Sequence, residues 1–323
     1  MMTIFHLPSR TRRASVVASA HSSRLWGSSQ FHSRFLDTNT SVCYLLFSRY
    51  LPLPHKPAKV GAACNIEDSA MKIGIIGTGN IGSSLARKLS AAGHEVRVAN
   101  SRGVDGVREF ADEIGAQAVD VRGAVDGAEV IVLSIPLPAV QALPADLFDS
   151  VAADAIVIDT GNYYPDMRDP HIPEIDEGMP ESVWVSRQIE RPVIKAFNTV
   201  LAYTLAELGQ AEGTPGRLAV AVAGDDLHAK EIVMELVNQT GFDPVDAGSL
   251  AESWRQQPST PAYCCDYDAD AMRKALAAAA PGAAPSIRDR LPEIFASLGP
   301  SPTHADIVAA NRATNIVAGK QAS

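Results

Sequence analysis

Met71-Lys72-Ile73-Gly74-Ile75-Ile76-Gly77-Thr78-Gly79-Asn80-Ile81-Gly82 is the stretch from which the fold of this chain is read. Its first six residues form a short, apolar, β-branched run suited to a buried parallel strand. Three glycines follow at the spacing of a phosphate-binding turn. Gly77 permits the tight turn, Gly79 lets backbone approach a pyrophosphate, and Gly82 lets a helix pack closely on the strand. Beyond them Ile81, Leu85 and Leu89 recur at helical spacing, Arg87 and Lys88 fall on the opposite face, and Gly93 stands where a helix C-cap belongs. A second apolar run at residues 95–99 completes strand, turn, helix, strand. That context turns a weak glycine pattern into a dinucleotide site, with Thr78, Asn80 and Ile81 at a helix N-terminus whose N–H groups and partial positive charge suit a pyrophosphate.

The form of the dinucleotide follows from the end of the second run. An acid that would grip the ribose 2′-hydroxyl of NAD is expected about 20 residues after the turn. Here the chain instead reads Asn100-Ser101-Arg102. Asn and Ser donate hydrogen bonds, and Arg pairs with a phosphate in charge-assisted fashion, so NADP(H) is favoured.

Apolar runs and amphipathic stretches continue to alternate. Helix is expected at residues 104–114, strand at 117–119, a turn at 120–127 and strand at 129–136. Strand is expected again at 155–159, 192–197, 218–223 and 242–245, with helices at 181–189, 199–208 and 225–240. This pattern predicts an α/β fold whose sheet is doubly wound and mostly parallel, with about eight strands. Ligands bind such sheets beyond the carboxyl ends of the strands, which places Ser134, Ile135 and Pro136 near the ribose and nicotinamide. Asp159 and Asn162, at the end of the next strand, are expected at the nicotinamide amide or a substrate.

The 323 residues carry a net charge of −9, but the two parts of the chain differ in sign. Residues 1–70 are basic, rich in Ser and Arg and without sustained periodicity, and are read as a leader. Two sources remain open for it: a mitochondrial transit peptide, or an over-extended gene start ahead of Met71. The rest is acidic, and an acidic surface repels phosphate backbones and anionic lipid heads, so neither nucleic acid nor membrane is an expected partner. No run reaches the roughly 20 apolar residues of a membrane helix. The expected location is cytoplasmic, or mitochondrial if the leader is a transit peptide.

Several segments together resemble the deazaflavin-dependent NADP oxidoreductases and their relatives, the oxidoreductase domains of six-transmembrane metalloreductases and the N-terminal domain of pyrroline-carboxylate reductases. They are IGIIGTGNIGSSLARKLSAAGHEV, VIVLSIP, VIKAFNTV, AGDD and GFDPVDAGSLAESWRQQPSTPAYC, in order from Met71 to about Tyr263. The resemblance implies a Rossmann-like sheet at residues 71–250 with a small C-terminal helical addition at 251–323. It implies NADPH at the glycine turn and Ser101-Arg102, and a deazaflavin, FAD or FMN stacked on the nicotinamide. It also implies an acceptor pocket near Pro136, Asn162 and Phe197-Asn198-Thr199. Two departures stand out: this chain shows no haem-bearing membrane domain, and about 60 residues follow Tyr263. That tail is read as a lid, a homodimer contact or a cap.

Hydride transfer between nicotinamide and a flavin-type ring needs position and electrostatics more than a dedicated acid. Consistent with this, no Ser-His-Asp, HExxH, CxxC or clustered-His pattern follows Met71, and no metal is expected. His94, His171, His228 and His304 are read as surface residues. Lys195, inside an apolar strand, is the acid or base if the chain instead reduces a small imine or ketone directly. A third reading is a non-catalytic NADPH sensor. Cys264-Cys265 are read as free thiols, and Trp254-Arg255 as either site lining or an anchor for the tail.

Overall fold

The structure is a computed structural model and describes residues 70–315. The expected leader therefore lies outside the described residues, apart from its last position. Among the described residues there are eight strands: β1 (Lys72–Ile76), β2 (Glu95–Ala99), β3 (Gln117–Ala118), β4 (Val130–Leu133), β5 (Ile156–Asp159), β6 (Ile194–Lys195), β7 (Ala219–Val222) and β8 (Asp243–Asp246). The first six form one sheet in the order β3-β2-β1-β4-β5-β6, parallel at every pairing. The chain leaves β1 toward one edge and returns through β4 toward the other, so the order reverses between β1 and β4. β7 and β8 pair in parallel with each other. They join the main sheet through an antiparallel bridge in which the Lys195 N–H donates to the Ala223 carbonyl at 2.8 Å and the Ala223 N–H to the Lys195 carbonyl at 3.0 Å.

Alternation along the strands sorts the core onto two faces. Ile73 and Ile75 of β1, with Val130 and Val132 of β4, pack beneath Leu85 and Leu89 of α1 (Asn80–Ala91), Val107 of α2 (Asp105–Ile114) and Val233 of α4 (Leu227–Gln239). Ile76, Ile131, Leu133 and Val157 point the other way, onto Leu137, Tyr163 and Trp184 of α3 (Glu181–Gln188). Successive strand side chains face opposite sides, and helices cover both. Each large apolar side chain buried in this way contributes about 1.5 to 3 kcal/mol.

Two local expectations are corrected. Residues 120–127 are not simply a turn: the Asp120 carboxylate accepts from the Gly123 N–H at 2.7 Å and caps a short helix, Val121–Val125. The helix expected from residue 199 begins only at Ala202, because Phe197, Asn198 and Thr199 are tied into buried structure below. The residues after 250 pack directly on the sheet. Met272, Ala275 and Leu276 of α5 (Ala269–Ala278) sit on Ala219, Ala221 and Val245. Ile307 and Val308 of α6 (His304–Thr314), a helix started by a Thr303–Asp306 capping box, cover Leu201, Tyr263 and Cys264.

Candidate functional site

The three turn glycines differ in what surrounds them. Gly77 has φ +104°, and a Cβ there would lie 2.1 Å from the Ser134 carbonyl oxygen; a Cβ on Gly82 would lie 1.9 Å from the Gly77 carbonyl oxygen. Both positions are closed to any side chain. Gly79 has an ordinary φ of −73°, and no atom lies within 4 Å of where its Cβ would be. Its backbone therefore faces open space at the start of α1, where no side chain caps the helix. A helix start without a side-chain cap, beside a bare glycine, is an arrangement able to take an anion.

At the end of β2, Asn100 donates from Nδ2 to the Thr78 hydroxyl at 3.0 Å and to the Gly106 carbonyl at 3.2 Å. Its Oδ1 accepts from the Arg102 N–H at 2.9 Å. Ser101 and Arg102 are exposed. The Arg102 guanidinium donates only to the Gly106 carbonyl, at 3.1 Å, so among the described residues its charge has no carboxylate partner. Thr78 and this segment are thus tied to each other, and neither Thr78 nor residues 100–102 are among those that line the cavity at the strand ends.

A cavity of about 320 Å³ opens at the carboxyl ends of β1, β4 and β5. Gly79, Asn80 and Ile81 line one side, Ser134, Ile135 and Pro136 the next, and Thr160, Gly161 and Asn162 the floor. Sequence reasoning named seven of these. The far side comes from Tyr164, Met167, Arg168, Tyr263 and Cys264, with Val200, Leu201 and Ala202 between. Phe197, Asn198 and Thr199 are not lining residues. Phe197, at φ +62°, is buried in the apolar core. Asn198 donates to Asn162 Oδ1 at 3.1 Å and to the Gln256 carbonyl at 2.6 Å, while Thr199 is buried beside it. These three hold the wall that the next three present.

The far wall was missed because its members are distant in sequence and carry no motif beyond the end of the segment TPAYC. The Tyr164 and Tyr263 hydroxyls are hydrogen-bonded to each other. The Arg168 guanidinium lies 5.2 Å from the centre of the Tyr164 ring. It donates to the Asn162 carbonyl at 2.5 Å and pairs with Asp169 at 2.8 Å. Burial pushes the Tyr263 phenol and the Cys264 thiol well above their ordinary values. Both cysteines are buried free thiols.

Lys195 lies behind the floor, fully buried. Its ammonium donates to the Gly161 carbonyl at 2.5 Å and lies 3.2 Å from Asp159 and 3.7 Å from Glu181. Asp159 also accepts from the Ser182 hydroxyl at 2.6 Å and the Gly161 N–H at 2.8 Å. Burial raises the Glu181 carboxyl above its ordinary range, and Lys195 opposes that shift. The cluster clamps the loop that floors the cavity without facing the cavity itself. The four histidines lie off the cavity lining. His171 and His228 are exposed, but His94 and His304 are half-buried, His94 accepting from the Met71 N–H at 3.1 Å and His304 pairing with Asp266 at 2.6 Å.

The family described as NADP oxidoreductase, coenzyme F420-dependent, matches residues 72–163. Protein YjhV of Escherichia coli is 56% identical over 107 residues, which are 32% of this chain and 76% of that protein. Metalloreductase STEAP3 of Rattus norvegicus is 31% identical over 193 residues, 60% of this chain but only 37% of the relative. The crystal structure of protein SMa0349 from Sinorhizobium meliloti is 31% identical, covering 59% of this chain and 91% of that one, with a TM-score of 0.49.

Proposed function

This chain belongs to the coenzyme F420-dependent NADP oxidoreductase family and is an NADP-dependent oxidoreductase, and from that premise we propose that it moves hydride between NADPH and a deazaflavin or flavin in the cavity beside the glycine turn. The observation that carries this is the continuity of one cavity from the bare backbone at Gly79 to the ends of β4 and β5. Bound NADPH supplies a hydride. In this reading the turn from Gly77 to Gly82 holds the diphosphate, and Asn100, Ser101 and Arg102 hold the 2′-phosphate. Ser134, Ile135 and Pro136 lie along the ribose and nicotinamide. Asn162, fixed by Asn198 from behind, orients the amide, and Ile81, Val200 and Leu201 keep water away.

At about 320 Å³ the cavity is at the small end of ligand sites. That favours a small-molecule acceptor, and it supports as a second reading the direct reduction of a small imine or ketone. Among the described residues no helix is long and apolar enough to cross a membrane, and we read the acidic body as working in the cytoplasm. The test is NADPH oxidation followed by absorbance, with a deazaflavin, FMN, FAD, cyclic imines and small ketones offered separately. Turnover with the deazaflavin or a flavin alone supports the first reading, turnover with an imine or ketone the second. Tight NADPH binding with no turnover overturns both.

A further inference from the structure

Reduction of any of these acceptors adds a hydride at one atom and leaves negative charge on a conjugated nitrogen or oxygen, which an acid placed at that atom neutralises; the need is greatest for an imine or ketone and least for a flavin ring that spreads the charge. Of the side chains lining this cavity, four carry an ionisable proton: Tyr164, Arg168, Tyr263 and Cys264. A guanidinium does not release its proton in a protein. Cys264 is almost wholly buried and its thiol is pushed up by that burial. The two phenols remain, bonded hydroxyl to hydroxyl with a cation beside them. Lys195 and Glu181 stand behind Gly161 and do not reach the space.

The group is built to stay in place. One carboxylate, Asp169, accepts from the Tyr164 N–H at 2.9 Å and pairs with Arg168. On the other side the Tyr263 carbonyl accepts from Asn315 Nδ2 at 3.1 Å, which ties the second phenol to the end of α6. Tyr263 is buried and Tyr164 half-buried, so the pair runs from the interior to the accessible side of the wall.

We propose that the Tyr164 hydroxyl delivers the proton that the acceptor takes up as it is reduced, with Tyr263 and Arg168 as its positioning residues; this rests on the hydride-transfer reading above. Hydride forms the new bond on the acceptor, and the electron pair of the acceptor's double bond moves to its heteroatom. The Tyr164 O–H bond breaks, the proton bonds to that heteroatom, and the electron pair stays on the phenolate oxygen. The Tyr263 hydroxyl then donates to that phenolate while the Arg168 charge faces it, and water returns a proton to Tyr164 after product leaves. Burial keeps Tyr263 protonated and able to donate throughout.

The variants are Tyr164→Phe and Tyr263→Phe in the full chain, each losing one oxygen and no ring. They are compared with wild type in NADPH oxidation with a deazaflavin, FMN and a cyclic imine, in NADPH affinity by fluorescence, in affinity for each oxidised acceptor without NADPH, and in melting temperature. The expected result for Tyr164→Phe is a fall in kcat of about 100-fold or more. NADPH affinity and melting temperature stay unchanged, and acceptor binding weakens about threefold to tenfold from the lost hydrogen bond. Tyr263→Phe lowers kcat by a smaller factor at unchanged KM. If wild type turns over an acceptor and Tyr164→Phe matches it within about twofold, the assignment is overturned. If wild type reduces nothing, the hydride-transfer reading has failed and takes this one with it, a result told apart by the silence of the wild type.

Discussion

The Lys195 ammonium sits 3.2 Å from the Asp159 carboxylate with both side chains at 2% exposure or less, between two neighbouring parallel strands of one sheet. Strands β5 and β6 are in register at this pair, so the backbone itself delivers the two charges to each other. The same ammonium holds the Gly161 carbonyl, and through it the loop that floors the cavity.

Lys195→Met is expected to destabilise the fold by about 3 to 5 kcal/mol, because it leaves Asp159 and Glu181 buried without a cation. Chemical denaturation measures this directly. Adding Asp159→Asn should restore part of the loss, with a coupling of about 0.5 to 3 kcal/mol. Strictly additive losses would show that the two groups do not depend on each other.

Glu181 gives stability a pH dependence whose sign is fixed. Its folded pKa is raised above the ordinary 4.5, so the folded chain binds this proton more tightly than the unfolded chain. The contribution is fully present below the ordinary value and is lost as pH rises through the raised one. Glu181→Gln removes that loss. Melting temperatures of the two proteins, scanned from about pH 5 to about pH 9, should show wild type falling relative to the variant; parallel curves would contradict the shift.

Gly79→Ala and Gly82→Ala should separate binding from folding. The new methyl at residue 79 meets no protein atom and its backbone suits any residue, so stability should change by no more than about 0.5 kcal/mol. NADPH affinity should nevertheless fall roughly tenfold, since the methyl fills the diphosphate's approach. At residue 82 the methyl collides with the Gly77 carbonyl, and a loss of about 1 to 3 kcal/mol or more is expected. Titration calorimetry and thermal melts read the two effects.

Arg102→Asp should weaken NADPH binding by about 1 to 3 kcal/mol, the scale of a lost charge-assisted contact, and barely alter NADH binding. The guanidinium is exposed and bonded only to the Gly106 carbonyl, so the fold should not notice. Equal losses for both dinucleotides in a fluorescence titration would remove the 2′-phosphate assignment.

Much of the fold was legible because its signals are local. The apolar run of β1, the three glycines and the amphipathic α1 each report their own conformation within a dozen residues. Capping was harder to see: Asp120 and Thr303 start helices at Val121 and His304 that hydrophobic spacing alone did not suggest. At the site, the residues on strand ends were legible by the general rule for parallel sheets. Phe197, Asn198 and Thr199 show the limit of a family pattern, since their segment is next to the cavity while their side chains are buried behind it.

By itself the sequence determined the glycine turn, the parallel sheet and the end of that sheet at which the cavity opens, because strand period, helix period and glycine sterics act between near neighbours. Only the tertiary structure decided the far wall of the cavity and the partners of Lys195. Tyr164 and Tyr263 are 99 residues apart, and Lys195 and Asp159 are 36 apart. Which phenol meets which phenol, and which carboxylates share one ammonium, depends on how strands pair and where the C-terminal helix docks. That is settled by packing and by the cost of burying an unpaired polar group, neither of which leaves a periodic mark on the chain.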